Sequence, residues 1–156
     1  MVRQFRVGVI GATEKGGYGH GLDTAFQGVE HARIVCVADD NAAGLVAAGK
    51  KLQVENDHLY ADYRQMLAKE KPDVVCVGPR WVTDRVPMLT ALAAAGCHIY
   101  CEKPFAGDAV AAETIVDACR KGRVKLALAH QWRAMAPVVQ TIRDVRAKKW
   151  GRLLRM

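Results

Sequence analysis

The sequence predicts an α/β fold in which a doubly wound parallel sheet has helices on both faces. Short apolar segments of four to seven residues alternate along the chain with segments of helical periodicity. The strand-like segments are mostly apolar, which is typical of strands buried on both faces of a parallel sheet. With 156 residues, of which 51% are hydrophobic and 25% charged, the chain has the size and composition of one globular domain.

The first part of the chain contains two predicted strands and two predicted helices. Residues 5–10 form an apolar run that ends at a glycine-rich turn, which predicts a buried strand. Residues 20–29 place apolar side chains at helical spacing and predict the first helix. Residues 32–38 predict the second strand, and Asn41 after it is a suitable N-cap for a helix over residues 42–52.

The middle of the chain continues the same alternation. Residues 63–69 predict a short helix, and residues 74–77 predict a third buried strand. The helix predicted over residues 82–95 ends at Gly96, because glycine favours the position that follows a helix. A fourth strand is predicted at residues 98–101.

The last quarter of the chain completes the pattern. Asp108 caps a helix that is predicted to continue to Lys121, and a fifth strand follows over residues 125–129. Residues 136–148 predict the last helix, with apolar side chains on one face. Residues 150–156 predict a further strand that has no partner in this chain, so we expect this segment to be disordered, paired with another copy or continued by further residues.

Basic residues are concentrated at the C-terminal end. The net charge is +7, and residues 141–156 hold six basic side chains and one acidic side chain. Such a cluster suits either a nucleic acid or a solvated helix end, where cations complement the helix dipole. Because no aromatic ladder or zinc-finger spacing accompanies the cluster, we expect a solvated helix end and no nucleic-acid partner.

The cysteines and the apolar segments indicate a cellular location. The five cysteines are an odd set without a Cys-x-x-Cys pair. They indicate reduced thiols and a cytoplasmic protein, and the sequence predicts no metal site. No apolar run approaches 18 residues, and the N-terminus lacks the pattern of a secretory signal, so we expect no membrane partner.

A glycine-rich segment follows the first predicted strand, at the sheet edge where ligands bind. Three of its glycines have nearly the spacing of a dinucleotide-binding loop, with about three residues inserted. Backbone N–H groups in such a turn can approach a pyrophosphate, and the helix predicted next would present its positive end to the same phosphates. A plain turn is the alternative. The candidate contacts are Gly11, Ala12, Thr13, Gly16, Tyr18 and Gly19.

Asp39 follows the second predicted strand, 28 residues after Gly11. A carboxylate there can accept hydrogen bonds from both ribose hydroxyls of NAD, and it would repel the 2′-phosphate of NADP. A role in capping the next helix is the alternative. The order of strand, glycine loop, helix, strand and acid predicts a Rossmann-like dinucleotide domain over residues 1–129 that binds NAD, with NADP less favoured.

A series of short motifs runs through most of the chain. The last of them is Glu102-Lys103-Pro104, which directly follows the fourth predicted strand. The series resembles the Gfo/Idh/MocA oxidoreductases, which are two-domain sugar and inositol dehydrogenases and have this triplet as their signature. The other matches are RVGVIG at residues 6–11, VAD at 37–39, DYRQML at 62–67, PDVV at 72–75 and AAGCHI at 94–99.

The resemblance implies a dehydrogenase that passes hydride from a sugar, inositol or related polyol to NAD. It makes Lys103 the catalytic residue, because an amine beside the nicotinamide can help to move the proton of a substrate hydroxyl. Glu102 would hold Lys103 or contact the nicotinamide, and Gln131 would reach the carboxamide or the substrate. Pro79 would contact the cofactor, and Arg80 and Trp81 would cover it, although the family's usual Thr-Pro-Asn and His are missing after the third strand.

The resemblance also implies a second domain. Residues 130–156 would form the crossover segment and the start of a substrate domain, through which we expect the protein to form homo-oligomers. We expect the 156-residue chain alone to bind NAD but hardly to oxidise polyols. The peptide bond between Lys103 and Pro104 is predicted to be cis, because the chain must turn sharply there.

Two alternatives to a polyol dehydrogenase remain open. One is an NAD-dependent glycosidase of the same family, which oxidises a sugar transiently, eliminates the aglycone and then reduces the sugar again. The other is a non-catalytic module that binds or senses NAD.

Overall fold

The computed structural model describes residues 3–152 and 154, and these residues form one six-stranded sheet with helices around it. The strands are β1 (Phe5–Ile10), β2 (Ala32–Ala38), β3 (Leu59–Tyr60), β4 (Val74–Val77), β5 (His98–Cys101) and β6 (Leu126–Leu128). The helices are α1 (Ala42–Leu52), α2 (Tyr63–Glu70), α3 (Arg85–Ala94), α4 (Ala109–Gly122) and α5 (Ala136–Arg146). Short 3₁₀ turns occur at Leu22–Thr24, Asn56–His58 and Gln131–Ala134.

The strand order confirms the predicted doubly wound, Rossmann-like sheet. The strands lie in the order β3-β2-β1-β4-β5-β6, and every neighbouring pair is parallel. The chain moves outward from β1 to β3 and then crosses to β4 on the other side of β1. In such a sheet, ligands bind at the carboxyl ends of the strands beside this switch point.

Buried apolar side chains form one cluster on each face of the sheet. Successive residues of a strand point to opposite faces, so Val9 belongs to one cluster and its neighbour Ile10 to the other. The Val9 cluster includes Leu52 of α1, and the Ile10 cluster includes Met66 of α2 and Leu89 of α3. The helices therefore cover both faces and leave the strand ends accessible.

The prediction of a helix over residues 20–29 is wrong. Among these residues only Leu22–Thr24 is helical, as a 3₁₀ turn. Gly21 and Gly28 have positive φ angles of 84° and 74°, which interrupt a right-handed helix on both sides. Leu22 is nevertheless buried, so the helical spacing of apolar residues reflected contact with the core. The glycine loop consequently lacks the helix that was expected to point at the phosphates.

The predicted helix caps are present. The Asn41 side chain accepts a hydrogen bond from the Gly44 N–H at 2.9 Å at the start of α1. The Asp108 side chain accepts one from the Ala111 N–H at 2.8 Å at the start of α4. Gly96 follows α3 with a positive φ of 77°, as the sequence predicted.

Several element ends differ from the predicted ones. Helix α3 begins at Arg85 instead of residue 82, α5 ends at Arg146 instead of residue 148, and β6 is shorter by two residues than predicted. The two-residue strand β3 was not predicted, because a run that short carries no periodicity.

The strand predicted over residues 150–156 is not formed by the described part of that segment. Trp150 closes a turn and is 60% exposed, and residues 151, 152 and 154 have no regular secondary structure. The remaining residues of the prediction, 153, 155 and 156, lie outside the described residues. No helix in the described ranges has the length and apolar character needed to cross a bilayer.

Candidate cofactor site

The glycine-rich loop after β1 folds back on itself. The Ala12 N–H donates to the Gly17 carbonyl at 3.1 Å, and the Gly17 N–H donates to the Ala12 carbonyl at 2.8 Å. Gly16 and Gly19 have positive φ angles of 96° and 67°. The N–H groups of Gly16 and Tyr18 donate to no acceptor in the part of the chain that the structure describes. These two groups are therefore available to phosphate oxygens.

Asp39 ties this loop to the turn after β2. The side chain is buried, and its carboxylate accepts hydrogen bonds from the Thr13 N–H at 3.1 and 3.2 Å, from the Thr13 hydroxyl at 2.7 Å and from the Asn41 N–H at 3.0 Å. A carboxylate has about four acceptor positions. Most of the capacity of Asp39 is thus used inside the protein, and Asn41 takes the role of helix cap.

The Tyr18 ring covers Gly11. A Cβ atom on Gly11 would lie 2.2 Å from Cζ of Tyr18, so only glycine leaves room for the ring. The Tyr18 hydroxyl is buried and has no hydrogen-bond partner among the described residues. Burial, together with the Asp39 carboxylate, raises the pKa of Tyr18, so its hydroxyl stays neutral. A phosphate approaching Gly11 on this side would meet the ring.

A cavity of about 290 Å³ opens between the turns after β1, β2 and β4. Gly11 and Ala12 line it from the first turn, Asp39 from the second and Pro79 from the third. Arg80, next to Pro79, lies against the glycine loop instead: a Cβ on Gly16 would stand 3.2 Å from the Arg80 Cβ. The structure thus brings four predicted site residues together around one cavity, and Arg80 lies near them because it packs against Gly16.

Arg85 connects the turn after β4 to the turn after β5. The side chain is buried, and its guanidinium donates to the Pro79 carbonyl at 2.6 Å, to the Glu102 carbonyl at 3.2 Å and to Cys101 Sγ. Burial raises the pKa of the Cys101 thiol to about 11, although the Arg85 charge opposes this. The thiol is therefore neutral, and the two turns are held together by the arginine.

Glu102 is completely buried beside the glycine loop. A Cβ on Gly19 would stand 3.0 Å from Cγ of Glu102, so Gly19 allows this close approach. Oε1 of Glu102 contacts Nδ1 of His20, and Oε2 has no partner within the described residues. Lys103 is half-buried, and the peptide bond to Pro104 is cis, which confirms the prediction.

Gln131 is not among the residues that line the cavity. It begins the 3₁₀ turn Gln131–Ala134 and is exposed, and its side chain forms no hydrogen bond with any described residue. Its role at the carboxamide or the substrate stays a prediction. The neighbouring Trp132 side chain is 68% exposed and does not pack in the core.

Sequence reasoning missed several residues of the site. Arg85 had a usable signal, because it precedes Leu89 and Leu92 by four and seven residues and therefore shares their buried helix face. His20 had no such signal, since its partner lies 82 residues away. Other missed residues line the cavity, namely Lys15, Asp40, Asp62, Tyr63 and Arg64. Trp81, which was predicted to cover the cofactor, lines it too.

A dinucleotide fits this edge of the sheet in part. The cavity provides open space, and the N–H groups of Gly16 and Tyr18 lack protein acceptors among the described residues. Oε2 of Glu102 also lacks a partner there, but it is buried. The missing helix after the loop removes one expected phosphate contact. In the described ranges, no group of three or more His, Cys, Asp or Glu side chains is arranged to hold a metal ion.

The sequence of the chain matches a known protein family. A family model described as "Oxidoreductase family, NAD-binding Rossmann fold" (GFO_IDH_MocA) matches residues 5–130. The chain is 29% identical to the D-apiose dehydrogenase of Paraburkholderia graminis, over 97% of this chain and 40% of that protein. The chain therefore spans less than half the length of this relative.

Solved structures show the same fold at low sequence identity. An oxidoreductase from Agrobacterium radiobacter, in complex with NAD⁺, L-tartaric acid and magnesium, has a TM-score of 0.82 and 20% identity, covering 96% of this chain and 42% of that one. The scyllo-inositol dehydrogenase of Lactobacillus casei has a TM-score of 0.79 and 20% identity, covering 96% of this chain and 43% of that one.

Proposed function

The chain belongs to the Gfo/Idh/MocA oxidoreductase family and contains its NAD-binding Rossmann domain, and we propose that the whole protein is an NAD-dependent dehydrogenase of a sugar, inositol or related polyol. Relatives support this substrate class, because one is a D-apiose dehydrogenase and another a scyllo-inositol dehydrogenase. The substrate would be a small molecule with a secondary hydroxyl or hemiacetal group.

The observation that carries the proposal is the position of the glycine loop. Thr13 in the loop binds Asp39 at one side, and Gly19 and His20 in the same loop contact Glu102 at the other. One loop thus joins the cavity at the end of β2 to the turn after β5. This arrangement matches an extended ligand whose two ends lie on opposite sides of the loop.

At the β2 end, the residues would bind the adenosine half of NAD. Asp39 retains limited capacity to accept a ribose hydroxyl, and its negative charge disfavours the 2′-phosphate of NADP. Gly11, Ala12 and Pro79 would enclose this half of the cofactor. Arg80, which packs against Gly16, would cover it. The N–H groups of Gly16 and Tyr18 would donate to the phosphates.

At the β5 end, Lys103 would act on the substrate. The bound nicotinamide supplies the hydride acceptor. Lys103 would accept the hydroxyl proton of the polyol when the hydride leaves the same carbon. Arg85 holds the backbone of this turn against Pro79, and burial of Glu102 fixes the residue that precedes Lys103. Gln131 would approach the carboxamide or substrate from the turn after β6.

The full-length protein tests the proposal. A panel of polyols and sugars that includes D-apiose and inositols is incubated with NAD⁺, and NADH formation is followed by absorbance. Lys103→Met is expected to lower kcat by about a hundredfold or more, because general base catalysis contributes roughly 10²–10⁴-fold. Its dissociation constant for NAD⁺ should stay within about threefold of the parent value, since Lys103 mainly serves the chemical step.

Lys121→Met is the matched control, because Lys121 is an exposed lysine at the end of α4. It should retain full activity. Unchanged turnover in Lys103→Met would contradict the assignment of the base. Hydrolysis of a glycoside without net NADH formation would identify the family's glycosidase chemistry, and NAD binding without any turnover would identify a binding module.

We further propose that residues 1–129 are the cofactor domain and that residues 130–156 lead into a substrate domain. The matched family segment ends at residue 130, and the chain spans about 40% of its D-apiose dehydrogenase relative. The exposed side chains of Trp132, Met135 and Ile142 lie in this segment and would be covered there. Homo-oligomers would form through the substrate domain, which light scattering on the full-length protein checks.

A further inference from the structure

The Glu102 carboxylate has a single polar side-chain partner among the described residues, and this partner is His20. Glu102 is completely buried, and a buried carboxylate needs a counter-charge or a proton. The His20 side chain is 39% exposed, so the imidazole can exchange a proton with solvent while its Nδ1 faces the carboxylate. The pair therefore links a buried carboxyl group to the solvent.

The other titratable groups around Glu102 do not provide that proton. Burial raises the pKa of Tyr18, of Tyr100 and of Cys101, so these three stay neutral in the physiological range. The Arg85 guanidinium contacts the Glu102 backbone carbonyl instead of the carboxylate. In the loop that carries His20, Asp23 is paired with Lys51 at 2.5 Å. Lys103 adjoins Glu102 in sequence, but among the described residues it forms no ion pair with the Glu102 carboxylate.

We propose that His20 and Glu102 form a proton-sharing pair at the nicotinamide end of the site, and that binding of NAD⁺ releases the proton of this pair. The inference rests on the proposed NAD-dependent function. Oxidised nicotinamide carries a positive charge, which near the buried Glu102 carboxylate would replace the charge of the imidazolium. The proton leaves the exposed imidazole for the buffer, and no bond other than N–H is broken. Reduced nicotinamide is uncharged and leaves the proton in place.

The affinity of the protein for NAD⁺ relative to NADH would then depend on pH. Histidine is the side chain that ordinarily changes its charge between pH 5 and 8. Release of a proton on binding makes affinity rise with pH, at most tenfold per pH unit for one proton. The affinity for NAD⁺ is thus expected to rise about two- to tenfold from pH 6 to pH 7, while the affinity for NADH stays level.

Calorimetry on the 156-residue chain tests the inference without any substrate. NAD⁺ and NADH are titrated at pH 6, 7 and 8 in two buffers with different heats of ionisation, and the difference gives the number of protons released. We expect between roughly 0.3 and 1 proton per NAD⁺ at the pH of maximal release, and less than about 0.1 for NADH. Equal proton counts for the two cofactors, or none for NAD⁺, would overturn the proposal.

Two variants locate the proton. His20→Gln should still bind NAD⁺ but release no proton, and its affinity should no longer depend on pH. His58→Gln is the matched control, because His58 forms the same kind of pair with Glu70 at 2.6 Å, beside Arg6 near the start of β1; its proton release should equal that of the parent. Release that persists in His20→Gln contradicts the assignment.

Failure of this inference differs from failure of the proposed function. A chain that binds neither NAD⁺ nor NADH would contradict the function itself, whereas binding without proton release contradicts the pair alone. Circular dichroism establishes that each variant is folded. If His20→Gln is unfolded, Glu102→Gln removes the charge that holds the proton, and its proton count must fall in the same way or the proposal is wrong.

Discussion

Asp39→Asn separates the structural role of this carboxylate from its role in cofactor choice. In the structure, the two Asp39 oxygens accept bonds from the Thr13 N–H, the Thr13 hydroxyl and the Asn41 N–H. Asparagine keeps the shape of the side chain but has one acceptor oxygen and no charge. The glycine loop would thus lose part of its attachment to the turn after β2.

The size of the effect follows from these contacts. Hydrogen bonds to a charged group contribute about 1.5–3 kcal/mol each, and neutral ones about 0.5–1.5 kcal/mol. Because asparagine preserves some neutral bonds, the free energy of unfolding should fall by about 2–3 kcal/mol. Asp40→Asn is the matched control: Asp40 forms one exposed ion pair with Lys15, whose loss should cost less than about 1 kcal/mol.

Urea unfolding followed by circular dichroism measures these free energies, and calorimetry with NAD and NADP measures the cofactor preference. The parent chain should bind NAD at least about tenfold more tightly than NADP, equivalent to about 1–2 kcal/mol of repulsion between Asp39 and a 2′-phosphate. Asp39→Asn should narrow that gap. Equal stability of the Asp39→Asn and Asp40→Asn variants, or tighter NADP binding by the parent, would refute the reasoning.

Three further predictions concern packing and pH. Gly11→Ala should weaken NAD binding and lower the free energy of unfolding by about 1–3 kcal/mol, because its Cβ would displace the Tyr18 ring; both quantities are measured as above. Gly122→Ala should destabilise the chain similarly in urea, since its Cβ would lie 2.3 Å from the Ala93 carbonyl oxygen. Although burial opposes it, hydrogen bonds from His58 and Tyr60 hold the pKa of Glu70 below its usual value. The ionised Glu70 therefore contributes fully to the free energy of unfolding above about pH 5, and this contribution is lost as pH falls through the folded-state pKa. Acid titration of the parent and of Glu70→Gln should show that the free energy of unfolding falls more steeply with decreasing pH in the parent.

Gly107→Ala serves as the control for both glycine substitutions. Gly107 lies outside the helices, and its added Cβ would meet only Val82 Cγ2, at an ordinary 3.5 Å. Its free energy of unfolding should stay within about 0.5 kcal/mol of the parent value. A loss at this position as large as that at Gly11 or Gly122 would show that the predicted clashes are not the cause.

Most of the fold was predictable because buried parallel strands are short, apolar and separated by recognisable caps. Asn41 and Asp108 marked helix starts, and Gly96 marked a helix end. The helix over residues 20–29 was wrong because helical spacing of apolar residues does not reveal the φ angles of the glycines between them. Gly21 and Gly28 adopt left-handed conformations that the apolar pattern could not show.

The sequence predicted which residues lie at the same edge of the sheet, but not which of them contact one another. Residues just after parallel strands meet at one edge of the sheet, so the strand pattern and the motif series were enough to place Gly11, Asp39 and Glu102 at the same edge. The bond between Thr13 and Asp39 joins residues 26 apart, and that between His20 and Glu102 joins residues 82 apart. No local pattern in the sequence encodes such pairs, because they depend on how the glycine loop folds between two strands.

The most direct test of the central claim is a crystal structure of the chain with NAD⁺ bound. The account predicts the adenosine ribose beside Asp39 in the cavity at the end of β2, the phosphates against the N–H groups of Gly16 and Tyr18, and the nicotinamide ring beside Glu102 and Lys103. A cofactor bound in the opposite direction, or at another edge of the sheet, would contradict it.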